Sequence, residues 1–378
     1  MKKGYVSSLP LPEFRLWKKA VEGRPLFSFD FDLTARCNNN CRHCYINLPA
    51  GDAAAKGREL SLAEIARIAS EAASLGAFWC LLSGGEPLLR EDFADVYTLL
   101  KKKGLLVSVF SNAALIGPEH VRLFKAYPPR DVEVSVYGAT QETYEKVTRT
   151  PGSFEAFLKG LDLLLGSGVK VRLKAMALRS NVHEFPAIAA FCRARTKDYF
   201  RFDPFIHLRY DGDEGRNAEI RAERLAPEDI VRLERADPDR FRELREKCGI
   251  RPGVGLGGNA PVPLFTCGAG LDSFSLGYDG QFRLCSSLAH PDCVYDLRKG
   301  RLREAWRTLV PRVRGLASGR LEFLKTCPSC PVIGLCQWCP ALAYLESRKM
   351  DVPVEFFCGT ARARAEALGS GQGLDKRE

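Results

Sequence analysis

The sequence predicts an α/β protein built on a parallel sheet, with a smaller cysteine-rich unit behind it. Three observations carry that reading. Short apolar runs of strand length alternate with stretches of helical period between residues 26 and 206, and strands separated by helices pair in parallel. Six such strand–helix units fit, about two short of a closed eight-stranded barrel, so the periodicity supports a barrel and leaves its closure open. The cysteines, sparse in the first part of the chain except for one loop, crowd into the part after residue 248.

Residues 1–25 form a short extension broken by Pro10, Pro12 and Pro25, with one amphipathic turn around Phe14-Arg15-Leu16-Trp17. The alternating run 26–33 is the first strand, and residues 51–57 are a small-residue linker. Ser61 and Glu64 make a capping box, and Leu62, Ile65, Ile68, Ala69 and Ala72 follow at helical spacing. The second strand is 78–82. The unit 92–103 (helix) and 105–110 (strand) comes next, then 118–125 and 132–137, 154–165 and 169–178, and 184–195 and 199–206. Residues 211–224 are charged without clean periodicity and read as a surface excursion that closes a first domain at 26–225. A charged helix at 226–247 bridges to the cysteine-rich domain, 248–367. There, two alternating runs around Asp279-Gly280 make a hairpin. Residues 368–378 read as a disordered tail.

Chemistry concentrates directly after the first strand, where Cys37, Cys41 and Cys44 stand at Cys-x3-Cys-x2-Cys spacing. Three thiolates on one tight loop can hold three corners of an iron–sulfur cube. Full protein ligation takes four, and Cys80 is too far along to belong, so one iron is left for an exogenous chelating ligand. The plainer reading is a zinc knuckle or redox-active thiols. The second strand ends in Leu82-Ser83-Gly84-Gly85-Glu86-Pro87-Leu88. Its glycines let backbone approach a ligand closely, Glu86 supplies an acceptor and Pro87 stiffens the exit. A Gly-Gly turn alone is usually only a turn.

Together, the three-cysteine loop and the Gly-Gly-Glu-Pro turn resemble the radical S-adenosylmethionine (SAM) superfamily. The resemblance implies a partial (β/α)6 TIM-like barrel with SAM across the C-terminal ends of its strands. It implies that the amine and carboxylate of SAM bind the open iron, that the turn at Gly84, Gly85, Glu86 and Pro87 grips the amine, and that reductive cleavage yields a 5′-deoxyadenosyl radical. Asn112 and Ser135 occupy strand ends that contact the cofactor in the family. Arg149 stands where relatives place an arginine near the methionine carboxylate, a group that guanidinium binds in bidentate fashion. The plain alternative for each is a surface or turn residue.

In the last third, Cys267 is followed by Gly280 and Cys285, then by Cys327-x2-Cys330-x5-Cys336-x2-Cys339 and finally Cys358. Cys327 to Cys339 alone could be a zinc ribbon. The whole pattern resembles the SPASM domain, which holds two auxiliary iron–sulfur clusters. That resemblance assigns Cys327, Cys330, Cys336 and Cys358 to a distal cluster, and Cys267, Cys285 and Cys339 to a proximal one. Cys293 is the candidate fourth ligand there; otherwise the site is open and binds substrate. The family has three residues in the last interval, where this chain has only Gln337 and Trp338. Cys80 and Cys192 fall in apolar runs and read as buried non-ligands.

Composition narrows the function classes. No apolar stretch approaches the roughly 20 residues of a membrane span, and no apolar h-region follows the basic N-terminus. Fourteen cysteines at clustered spacings indicate metal in a cytoplasmic protein rather than disulfides. The net charge of +10 comes from scattered arginines without a basic, aromatic-interleaved tract, which reads as a solvated surface rather than a nucleic-acid site. The resemblance therefore implies an oxidoreductase or maturase of the radical SAM/SPASM type with three iron–sulfur clusters. Its expected substrate is a peptide, crosslinked or oxidised during ribosomal peptide (RiPP) maturation, and its expected electron donor is flavodoxin or ferredoxin. The alternatives are maturation of a small molecule, such as a modified haem or quinone precursor, and a non-catalytic iron–sulfur or zinc-ribbon protein. The 25 residues before the first strand are too few for a leader-binding domain of about 80 residues. Leader recognition is then expected from a separate protein, or from the barrel and SPASM surfaces.

Overall fold

The computed structural model describes residues 26–198, 200–247 and 261–369. The expectations for residues 1–25, for Cys248 and for residues 370–378 lie outside them. Six parallel strands stand side by side in chain order: β1 Ser28–Thr34, β2 Trp79–Gly84, β3 Leu106–Ser111, β4 Asp131–Val136, β5 Val171–Met176 and β6 Arg201–Asp203. The main helices of this part are α1 Ala53–Arg58, α2 Leu62–Ser74, α3 Phe93–Lys102, α4 Pro118–Ala126, α5 Gln141–Thr148, α6 Ser153–Gly166 and α7 Phe185–Arg195. The start of α2 is the expected capping box, with Ser61 N donating to Glu64 at 2.8 Å and Glu64 N to Ser61 Oγ at 3.3 Å. Its face Ile65, Ile68, Ala69 and Ala72 is buried.

Parallel strands covered on both faces read as continuous apolar runs. These strands alternate instead. In β1, Phe29, Phe31 and Leu33 lie in the core, while Asp30 and Asp32 face a cavity together with Ser83 of β2, Glu133 and Ser135 of β4, and Lys174 of β5. The alternation marks the inner face of an open barrel whose lumen holds water or ligand rather than packed side chains.

The cysteine-rich part does not build a separate sheet. Strands β7 Ser273–Leu276, β8 Gln281–Arg283 and β9 Tyr295–Asp296 extend the barrel sheet in the order β9-β8-β7-β1-β2-β3-β4-β5-β6. β7 lies parallel to β1, from Ser28 opposite Ser273 to Phe31 opposite Leu276. Phe29 stacks on Phe274 at 5.3 Å and Phe274 on Phe282 at 4.9 Å, so one core spans both parts. The turn between β7 and β8 takes Gly280 to φ +85°, a value glycine adopts without a Cβ clash.

Several boundaries differ from the sequence reading. The supposed excursion at 211–224 contains a helix, α8 Glu214–Glu223, with Asn217, Ile220 and Glu223 buried; its inward face is largely polar, which hides it from a search for apolar period. The bridge is two helices, α9 Pro227–Arg235 and α10 Pro238–Lys247, each opened by a proline at a position that needs no N–H. The linker at 51–57 holds α1, capped by Asp52, which accepts from Ala55 N at 2.8 Å. β6 is shorter than expected. After α11 Pro340–Ser347, α12 Glu355–Gly369 carries helix through Leu368 and Gly369, where the tail was expected to begin. Arg364 of α12 forms a buried ion pair with Glu234 of α9 at 2.6 Å, fastening the C-terminal part to the bridge. No described helix is long and apolar enough to cross a membrane.

Candidate active site

β1 ends in a register shift between Asp32 and Thr34, and the chain leaves the sheet as the cysteine loop. Cys37, Cys41 and Cys44 open onto a cavity of about 330 Å³ at the C-terminal ends of the strands. Arginines brace the loop from several sides. Arg36 pairs with Glu59 at 2.7 Å and donates to Ala50 O at 3.0 Å. Arg149 donates to Asn40 O at 2.8 Å, Arg216 of α8 to Cys41 O at 2.9 Å, and Arg209 to Asn47 O at 3.2 Å. Each guanidinium takes loop carbonyls that no helix or strand satisfies. Sequence reasoning missed Arg36, Arg209 and Arg216, and no local signal marks them.

The glycine turn lies against the same loop. A Cβ on Gly84, whose φ is +122°, would stand 2.3 Å from Thr34 O, and one on Gly85 2.2 Å from Arg36 O. The turn and the loop are joined by Gly85 N donating to Thr34 O at 2.7 Å and Glu86 N to Arg36 O at 2.9 Å. Gly84 and Gly85 line the cavity. Glu86 and Pro87 lie behind that wall: the fully buried Glu86 carboxyl accepts from Asn112 N at 2.8 Å, Ser111 Oγ at 3.0 Å and Leu88 N at 3.2 Å. Burial outweighs those donors and pushes its pKa up to about 7.

Asn112 and Ser135 stand on the cavity wall. Asn112 donates to Asn38 Oδ1 at 2.8 Å and its Nδ2 lies 3.8 Å from Cys37 Sγ. Arg149 is placed behind the loop instead. It adopts a left-handed backbone at φ 52°, and its guanidinium is taken up by Asn40 and by Glu219 of α8 at 2.7 Å.

Two further side chains point to a ligand. Both amide atoms of Asn39 and Nδ1 of His43 are buried without a hydrogen-bond partner, and both residues line the cavity. Orphaned buried polar groups are rare and costly. Burial pushes the His43 pKa down to about 4, keeping its ring, which packs on Tyr137 at 5.2 Å, neutral. Burial pushes all three loop thiols up. Backbone N–H groups already aim at two of the sulfurs, Asn39 N at Cys37 and Asn47 N at Cys44, each 3.4 Å away. Buried thiols with donors aimed at sulfur, a glycine cradle and unpaired polar atoms fit an iron–sulfur cluster carrying a chelated polar ligand.

The C-terminal cysteines fall into two groups. Cys336 has Cys358, Cys327 and Cys330 as its charge neighbours, and Cys339 has Cys285 and Cys267. Trp338 N donates to Cys336 Sγ and Leu342 N to Cys339 Sγ, both at 3.4 Å. Cys293 stands apart, fully buried in the apolar core, with Asp292 and Arg312 as its charge neighbours. Cys80 and Cys192 are core residues. Ser286, next to Cys285, reaches the cavity wall, so the second group borders the lumen. Among the described residues no three His, Cys, Asp or Glu side chains converge on a point suited to one metal ion.

The sequence profile of the Radical SAM superfamily matches residues 32–192. The AdoMet-dependent heme synthase of Methanosarcina barkeri is 33% identical over 158 residues, 41% of this chain and 43% of that protein. The Fe-coproporphyrin III synthase of the same organism is 32% identical over 217 residues, 57% of this chain and 52% of that protein. The chain spans about half the length of the curated relatives it matches. Among solved structures, Streptococcus suis SuiB bound to its precursor peptide SuiA superposes with a TM-score of 0.65 at 15% identity, covering 89% of this chain and 77% of that one. At that identity the likeness is one of fold.

Proposed function

Because this chain belongs to the radical SAM superfamily, whose domain it carries at residues 32–192, we propose that it is a radical SAM/SPASM maturase acting on a peptide. When bound, a 4Fe–4S cluster and SAM supply a 5′-deoxyadenosyl radical that abstracts hydrogen from an unactivated position. Cys37, Cys41 and Cys44 would hold three irons and leave the fourth to SAM. Gly84 and Gly85 give the cofactor amine access to backbone, with Asn112 and Ser135 on the adjoining wall. Asn39 and His43 offer it their unpaired polar atoms. Glu86 and Arg149 act behind the wall, one fixing the β3 end and the other the cysteine loop.

Cys327, Cys330, Cys336 and Cys358 would hold one auxiliary cluster, and Cys267, Cys285 and Cys339 a second. The charge neighbours of Cys293 are Asp292 and Arg312 rather than cysteines, which supports a second set with one position left for substrate or solvent. The observation that carries the proposal is the single lumen bounded by the cysteine loop on one side and by Ser286, beside Cys285, on the other. A substrate there lies between the radical source and an electron acceptor. The likeness to a structure that holds its precursor peptide supports the peptide reading. Flavodoxin or ferredoxin would supply the electron, and a separate protein could present a leader.

A second reading, tetrapyrrole maturation, draws support from the identity to the two Methanosarcina barkeri synthases. Anaerobic incubation with SAM, reductant and the peptide encoded beside the gene, followed by mass spectrometry, separates the two. A mass loss of hydrogen from the peptide is expected. Turnover of an iron-coproporphyrin with an inert peptide would replace the first reading by the second.

A further inference from the structure

We infer that Asp30 and Asp32 form an anionic subsite in the lumen that receives a cationic side chain of the substrate, an ammonium or guanidinium, an inference that rests on the peptide reading above. The two carboxylates stand two residues apart on the inward face of β1, and both line the cavity. Their lateral neighbours on that face bring no cation: Leu81 and Ser275 flank Asp30, and Ser83 flanks Asp32. Asp32 is only 8% exposed while Asp30 is open to solvent, and neither accepts a side-chain hydrogen bond or pairs with a cation from any described residue. Other buried acids of the protein are matched: Glu59 by Arg36, Glu133 by Arg201 at 2.6 Å, Glu234 by Arg364.

Arg283 of β8 is the cation whose charge Asp32 feels most, but its guanidinium lies over the Tyr210 ring at 4.5 Å and its Nε is unpaired. Asp279, close by, adds a further negative charge. The lining contains one lysine, Lys174, and no arginine. Lys174 projects from β5, four strands along the sheet from β1. The lumen is thus acidic at β1, and its one lysine shares β4 to β6 with two further acids, Glu133 and Asp203, while its charge reaches His43 of the cysteine loop. Desolvation without a partner raises Asp30 to about 6 and Asp32 to about 7, and a bound cation would restore what burial removes. A polycarboxylate placed across the same wall would meet repulsion.

The test uses the full chain, anaerobically reconstituted and saturated with SAM, titrated calorimetrically with N-acetylated, amidated pentapeptides Ala-Ala-X-Ala-Ala. X is lysine, arginine, norleucine or glutamate, and coproporphyrin III is a separate arm. The lysine or arginine peptide is expected to bind about 10-fold or more tighter than the norleucine peptide, the scale of one charge-assisted hydrogen bond. Asp32→Asn and Asp30→Asn, separately and together, are expected to erase that preference at unchanged iron content, whereas Lys174→Met leaves it intact. Should Asp32→Asn fail to fold, Asp30→Asn alone decides. Equal or weaker binding of the cationic peptides, or a preference that survives the Asp substitutions, overturns the subsite. A preference for glutamate overturns it while the peptide reading stands. Binding of coproporphyrin III with no peptide bound removes both.

Discussion

Cys37, Cys41 and Cys44 occupy a loop in which guanidinium groups meet the carbonyls of Asn40, Cys41 and Cys44. Their thiols are held up by burial, so forming three thiolates there requires a compensating metal charge. Replacing all three by Ala is expected to abolish 5′-deoxyadenosine formation and to lower iron by one cluster while the C-terminal groups keep theirs. Chromatography of the nucleoside product together with iron analysis checks this, and a triple variant that still cleaves SAM would count against the assignment. The cysteines and glycines were legible in the sequence because ligand spacing and freedom from a Cβ are local properties. Arg216 was not, because it meets Cys41 O across 175 residues, and nothing in a charged helix tells which arginine will be called inward. Arg149 was singled out by its place in a motif, but the loop carbonyl of Asn40 takes its guanidinium.

At the scale of elements, the strand–helix alternation was readable for each of the six parallel strands, since every strand has one apolar face and every major barrel helix an apolar stripe. The pairing of β7 with β1 was not. A hairpin announces its turn through Asp279-Gly280, but the strand edge it joins is fixed by packing, here the stack of Phe29, Phe274 and Phe282. Phe274→Ala is therefore expected to cost about 3–5 kcal/mol, the range for emptying a buried aromatic site. Because this core is shared by the barrel and the hairpin, the loss should appear as one urea transition moved to lower midpoint. Two separated transitions, with only the later one unchanged, would show the hairpin to be an independent unit. α8 escaped the sequence reading for a related reason. Asn217 and Glu223 are buried by hydrogen bonding, Asn217 Oδ1 accepting from Arg209 N at 2.9 Å and Glu223 Oε2 from Ser180 N at 3.0 Å, and polar burial leaves no hydrophobic period.

For the whole molecule, the proposed ligand sets give an expected metal content. Three loop cysteines and two C-terminal groups give three sites, so about 12 irons per chain are expected if each holds a 4Fe–4S cluster. Plasma emission spectrometry after anaerobic reconstitution measures it. Stoichiometric zinc with little iron would instead favour a zinc-ribbon C-terminus, and about 8 irons would remove one auxiliary site.

The parallel seam between β1 and β7 also has a meaning in time. Ser28 meets Ser273, so one edge of the first strand must wait until most of the polypeptide has been made. At about 5–20 residues per second of synthesis, the wait is on the order of tens of seconds. Throughout it, β1 offers an unpaired row of N–H and C=O groups, a hazard for association with other nascent chains. During the same interval, the cysteine loop lacks Tyr278 of the β7–β8 turn, which later packs with Ala35 and Ile46. The ribosome's pace thus leaves a period in which the loop stands uncovered on the side that the β7–β8 turn later meets.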